Sequence, residues 1–171
     1  MKKYILPIIA VVVVIIAAVV LIVVPKSGST EQANDPKIDS AANTVAKASD
    51  DHVEILASQL SEDKISLFSV ADDSKVELIA IKGADSKARV AFATCQSCNG
   101  SPGAYYTQSG DLLQCNNCGL TFPLSVIGED GSGCHPIMLD DTKVKEIDDV
   151  VSIDKAYLLS LESLFKNVAE H

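Results

Sequence analysis

The chain has 171 residues, 14 Lys and Arg against 23 Asp and Glu, and a net charge of −9. Three of the 14 basic residues, Lys2, Lys3 and Lys26, lie at the amino-terminal end, so the rest sets 11 against 23 and carries −12. An exterior that acidic repels a phosphate backbone and argues against nucleic acid as a partner, while the chain shows neither a phosphate loop nor a nucleophile with a positioned base. Nothing in it suggests hydrolysis or group transfer.

Residues 1–27 form the first predicted element. Positions 5 to 24 are uninterrupted apolar residues, enough at 1.5 Å per residue to cross a hydrocarbon core of about 30 Å. A cleavable signal peptide has a shorter apolar region and a small-residue cleavage site, and no AxA-like triplet lies between Leu21 and Ser29. The expectation is an uncleaved, single-pass anchor in the cell membrane. Lys2 and Lys3 precede it, which puts the N-terminus in the cytoplasm and the rest of the chain outside. Residues 28–50, small and polar, read as a flexible tether, and residues 51–171 suffice for one small extracytoplasmic domain.

Within that domain KISLFSV (64–70), KVELIAIK (75–82) and ARVAFAT (88–94) are rich in β-branched and aromatic residues and separated by turn residues, which predicts three hairpin-connected strands leading into Cys95. AYYTQ and LLQC flank SGD, a hairpin turn that returns a second CxxC beside the first. Near the end DDVVSI reads as a strand. Asp154 then caps a helix in which Tyr157, Leu158, Leu161, Leu164, Phe165 and Val168 recur at helical spacing as a core stripe. The predicted fold is therefore α+β: an N-terminal transmembrane helix, a small antiparallel β domain with a zinc-ribbon-like or rubredoxin-like cysteine hairpin, and a C-terminal helix.

The chemistry is concentrated in residues 90–139. Cys95 and Cys98 form one CxxC, and Cys115 and Cys118 form another followed by Gly119. Two such turns present paired thiolates to one tetrahedral metal. A disulfide framework is the alternative that an extracytoplasmic location permits, but five cysteines are an odd number for it. Neither pair precedes a histidine, which disfavours covalent haem. The fifth cysteine, Cys134, sits between Gly133 and His135 in IGEDGSGCHPIML and reads as a fifth sulfur, a replacement ligand or a small buried side chain. His135 can bind metal through a ring nitrogen, yet consecutive residues of an extended segment point opposite ways, which favours a solvent-facing or hydrogen-bonding role. Tyr105 and Tyr106 either shield a metal or pack in the core. Between Val90 and Gly128 the only charged residue is Asp111, so this region is a neutral island in an acidic protein.

The stretch VAFATCQSCNGSPGAYYTQSGDLLQCNNCGLTFPLSVIGEDGSGCHPIML resembles the signature of the FtrD-like membrane iron-sulfur proteins: an AFxxC lead-in, CxxC, a GxYY turn, CxxCGxxF, an isoleucine-glycine step and GCxPI. The resemblance runs over residues 53–155 and is densest from 90 to 139. It implies that Cys95, Cys98, Cys115, Cys118 and Cys134 are metal-site cysteines and that the cofactor is an iron-sulfur cluster or iron. It also implies a role in bacterial ferrous iron uptake, passing electrons beside an iron permease and extracytoplasmic metal-binding or redox proteins. His135 departs from the asparagine expected there, and one membrane segment is too few for the chain to be the permease itself.

Physical chemistry qualifies that expectation. MKKYIL lacks the twin arginines that signal export of a folded protein, so the chain is expected to thread unfolded. A single zinc or iron ion is easily acquired after export, whereas a cluster is harder to assemble there. Two functions compete: a tethered electron-transfer or metal-handling component, and a partner-binding domain stapled by structural zinc.

Overall fold

The computed structural model describes residues 46–169 and 171, and these form eleven strands, one short α-helix and several 3₁₀ turns. In chain order the strands are β1 (Ala46–Ala48), β2 (His52–Leu56), β3 (Ser66–Ser69), β4 (Glu77–Lys82), β5 (Ala88–Cys95), β6 (Tyr106–Ser109), β7 (Leu112–Cys115), β8 (Thr121–Pro123), β9 (Pro136–Met138), β10 (Val144–Ile147) and β11 (Val150–Asp154). The helix, α1, is Lys155–Ser160.

The strands make three antiparallel sheets. The central one has the order β3-β4-β5-β9. Its inner strands lack alternation because both faces are covered: Leu78, Ile79, Ala80 and Ile81 of β4 are buried, as is every residue of β5 from Val90 to Cys95. The second sheet has the order β1-β2-β11-β10 and faces the core on one side only. Val53 and Ile55 of β2 and Val151 and Ile153 of β11 point inward, while the intervening Glu54 is exposed. The third sheet, β6-β7-β8, is a three-stranded ribbon that carries the second CxxC.

Phe92 ties these parts together. It is fully buried on β5, with its ring 6.1 Å from that of Tyr157 on α1 and 6.2 Å from that of Phe165. The β5 backbone then delivers Cys95 at its end, so the first ligand turn grows directly out of the best-packed strand.

The three strands expected before Cys95, the AYYTQ/LLQC hairpin and the strand at DDVVSI are all present as β3, β4, β5, β6, β7 and β11. The Asp154 cap is present as well, its carboxylate accepting from the Tyr157 N–H at 2.9 Å. The fold is nevertheless mostly β, because the C-terminal helix is much shorter than its apolar stripe predicts. After Ser160 the chain tightens into a 3₁₀ turn over Glu162–Phe165, and Leu161, Leu164 and Val168 donate to carbonyls three residues back. Tertiary anchors explain the change: the Leu164 carbonyl accepts from the Asn99 amide at 2.8 Å, and the Ala169 N–H donates to the Pro102 carbonyl at 2.9 Å. The predicted tether also ends early, since Ala46–Ala48 pair with β2 as a strand. The expected membrane anchor and the tether up to residue 45 lie outside the described residues. Among the described residues no helix is long and apolar enough to cross a membrane.

Candidate metal centre

Three separate segments supply the five cysteines. Cys95 ends β5 and Cys98 follows in the turn after it. Cys115 ends β7, and Cys118 lies in the exposed turn before β8. Cys134 arrives on the irregular segment that precedes β9, whose Pro136 pairs with Cys95 and thereby places it. The second turn closes because the Gly119 N–H donates to the Cys115 carbonyl at 2.8 Å and the Cys115 N–H to the Leu120 carbonyl at 3.0 Å. Gly119 holds φ at +73°, a conformation that costs a residue with a side chain about 1 kcal/mol or more.

All five are free thiols, and they converge. The sulfurs of Cys95, Cys98 and Cys115 lie within 4.8 Å of one another, and so do those of Cys98, Cys118 and Cys134. Cys98 belongs to both sets. The inner set is buried, whereas Cys118 is exposed and Cys134 half-buried, so the cluster runs from the core to the surface. The Cys134 sulfur stands 3.3 Å from that of Cys118 and 3.9 Å from that of Cys98.

The sulfurs differ in their readiness to ionise. Burial raises the pKa of Cys95, but hydrogen bonding outweighs it, first from the Cys98 N–H at 3.4 Å, so the net shift is downward. Burial pushes Cys115 up to about 12. Cys134 is raised first by its contact with the Cys118 thiol and then by burial. Tyr106 is also held in its neutral form, by burial and by the neighbouring Cys95. Cys95 is thus placed to be an early thiolate, and a cation bound here would have to displace the protons on Cys115 and Cys134.

The donor set suits an iron-sulfur or iron-thiolate centre: soft sulfur ligands, a backbone N–H aimed at one of them, and no acidic oxygen among them. Residues 90–128 contain no Lys or Arg, so charge compensation falls to backbone dipoles.

His135 does not share the cluster. Its ring meets Phe122 edge-on at 5.1 Å and lies so close to Gly131 that a methyl group there would overlap Nδ1. That nitrogen is buried and has no hydrogen-bond partner, while the residue as a whole is half-buried. Packing against Gly131 and Phe122 turns the ring away from the sulfurs. Tyr106 carries a contact that the sequence did not disclose: its hydroxyl donates to the Cys134 carbonyl at 2.6 Å. The available clue was parity, since a strand that returns to Cys115 places alternate residues toward it.

A β domain that gathers thiols from two CxxC turns and a third segment defines a cysteine-rich metal-binding protein. Residues 60–165 match the family described as membrane iron-sulfur containing protein FtrD-like, and the chain belongs to that family. No curated protein and no solved structure matches the chain.

Proposed function

We propose that this chain is a membrane-anchored, extracytoplasmic protein whose cysteines hold iron, as an iron-sulfur or iron-thiolate centre, and that it serves as an electron-transfer or metal-handling accessory of an iron uptake system. The convergence of all five cysteines carries this reading. When bound, iron supplies one-electron redox chemistry. The chain's own part is to gather the sulfurs and to bury Cys95 and Cys115. It also leaves Cys118 at the surface, where a partner's redox group can approach. With no basic residue between 90 and 128, negative charge on the thiolates is weakly compensated, which favours a low reduction potential. Partners of this reading are an iron permease and extracytoplasmic redox or metal-binding proteins.

The apolar run over residues 5–24 supports a single-pass anchor with the N-terminus in the cytoplasm. Fractionation of cells tests it: the full-length chain belongs with the membranes, and mature chains beginning near residue 28 in the soluble extracytoplasmic fraction would refute the anchor.

A second reading is zinc as a staple for a partner-binding domain. A tetrahedral zinc with bonds of about 2.3 Å has sulfur-sulfur edges of about 3.8 Å, close to the 3.9 Å between Cys98 and Cys134, and a single iron held by thiolates fits the same edge. Metal analysis and visible absorption of protein purified without oxygen decide between the two, because iron held by sulfur is coloured and zinc is not. Colourless protein with stoichiometric zinc would sink the iron reading.

A further inference from the structure

We propose that Tyr106 is a positioning residue for Cys134 at the metal centre, its buried hydroxyl holding the Cys134 carbonyl and so completing, beside the β5-β9 pairing, the seating of residues 131–135 against the two CxxC turns. The inference rests on the reading of the cysteines as a metal site and goes beyond it by assigning a non-cysteine residue a role in assembling the site.

The register explains how Tyr106 reaches this place. In the β6-β7 ladder Tyr106 is directly opposite Cys115, so the strand that carries the second CxxC also aims this side chain at the cluster. Alternation sends Tyr105 elsewhere, and its ring stacks on His171 at 4.2 Å. Tyr106 is 1% exposed, and its O–H donates to the Cys134 carbonyl at 2.6 Å. Among the described residues no other hydrogen bond reaches the Cys134 backbone, while the next residue is held to the first CxxC turn by the Gln96 N–H donating to the His135 carbonyl at 2.9 Å. The segment around Cys134 has no regular structure and passes through Gly133 at a φ of +88°. A chain with so few internal constraints takes its position from outside contacts. Tyr106 therefore touches the site at its three segments: the Cys115 strand by pairing, Cys95 by proximity and Cys134 by its hydroxyl. Hydrogen bonds that orient ligands in this way typically change metal affinity about 10- to 100-fold when removed.

Tyr106→Phe keeps the ring in its hole and deletes only the donor. The test uses the full-length protein in detergent and Co²⁺ as the probe, because sulfur-to-cobalt charge-transfer absorbance grows with the number of thiolates bound. The Tyr106→Phe variant is expected to bind Co²⁺ about tenfold more weakly and to lose the same share of charge-transfer absorbance as Cys134→Ser. In the double variant the two effects should not add. Gly133→Ala displaces the same segment through its backbone, with no side-chain clash, and should reproduce the spectral loss even if Tyr106→Phe folds poorly. Wild-type affinity and spectrum in Tyr106→Phe, an unchanged spectrum in Gly133→Ala, or additive losses in the double variant would each overturn the proposal. Wild-type protein that takes up neither Co²⁺ nor iron overturns the metal reading itself, a result distinguishable from all three.

Discussion

The sulfurs of Cys118 and Cys134 lie 3.3 Å apart although the residues are 16 positions apart in sequence. A surface turn and an irregular segment thus meet at one point. Two thiols at that distance can hydrogen-bond to each other or share a cation, so Cys134 stands beside the candidate ligands. Cys134→Ser should alter metal content or spectrum about as much as Cys118→Ser. Full occupancy with an unchanged spectrum in Cys134→Ser would return Cys134 to a packing role.

Metal removal should loosen one part of the domain and spare the rest. Thiolate coordination in small zinc peptides is worth about 10 kcal/mol or more, similar to the whole stability of a typical domain. The central sheet, however, has its own apolar core around Phe68, Leu78, Ile79 and Phe92, and the first CxxC turn is tied to the C-terminal segment through Asn99 and Pro102. In reduced, metal-free protein, amide exchange is expected to accelerate across residues 106–134 while β4, β5, β2 and β11 stay protected. Loss of protection throughout would mean that the metal is the main structural support, and would favour the zinc staple.

Phe92→Ala should be the costliest single truncation in the core. The ring is fully buried between Tyr157 and Phe165 on the strand that ends at Cys95, so its removal opens a cavity that the sheet cannot close. A loss of about 3–5 kcal/mol is expected in denaturant titration. Phe122→Ala, at a half-buried position on the short strand β8, should cost clearly less. Equal costs would show that the core does not centre on Phe92.

Acid should weaken the start of α1. The N–H of Tyr157 holds the Asp154 carboxyl below the ordinary aspartate range, so its folded pKa is depressed. The cap's contribution is then fully present above the unfolded pKa and is lost as pH falls through the folded one. Asp154→Asn keeps an acceptor but has no charge to lose. Its Tyr157 amide should exchange with less acid dependence than that of the wild-type protein, and identical acid profiles would remove Asp154 from the account.

The local elements before and around the cysteines were legible because their cause is local. Apolar, β-branched runs between turn residues specify β3, β4 and β5, and the two CxxC pairs across a hairpin turn specify where a metal ribbon must lie. Strands β8, β9 and β10 were not legible, since each is only three or four residues long, and β9 exists by pairing with β5, distant in sequence. The helix was overestimated because distant contacts act on it too. Its stripe of Leu and Phe is real, but Asn99 and Pro102 claim the backbone of its second half.

Sequence alone determined the candidate residues: five thiols, in a stretch free of basic side chains, inside the segment that matches the FtrD-like family. Only the tertiary structure decided how they meet. Cys134 joins Cys98 and Cys118 because β9 pairs with β5, Tyr106 reaches the Cys134 carbonyl because β6 is in register with β7, and His135 stays out because it packs on Gly131 and Phe122. Spacing along a chain constrains neighbours within a turn, but a contact between distant segments follows from sheet register and burial, which exist only once the whole domain has folded.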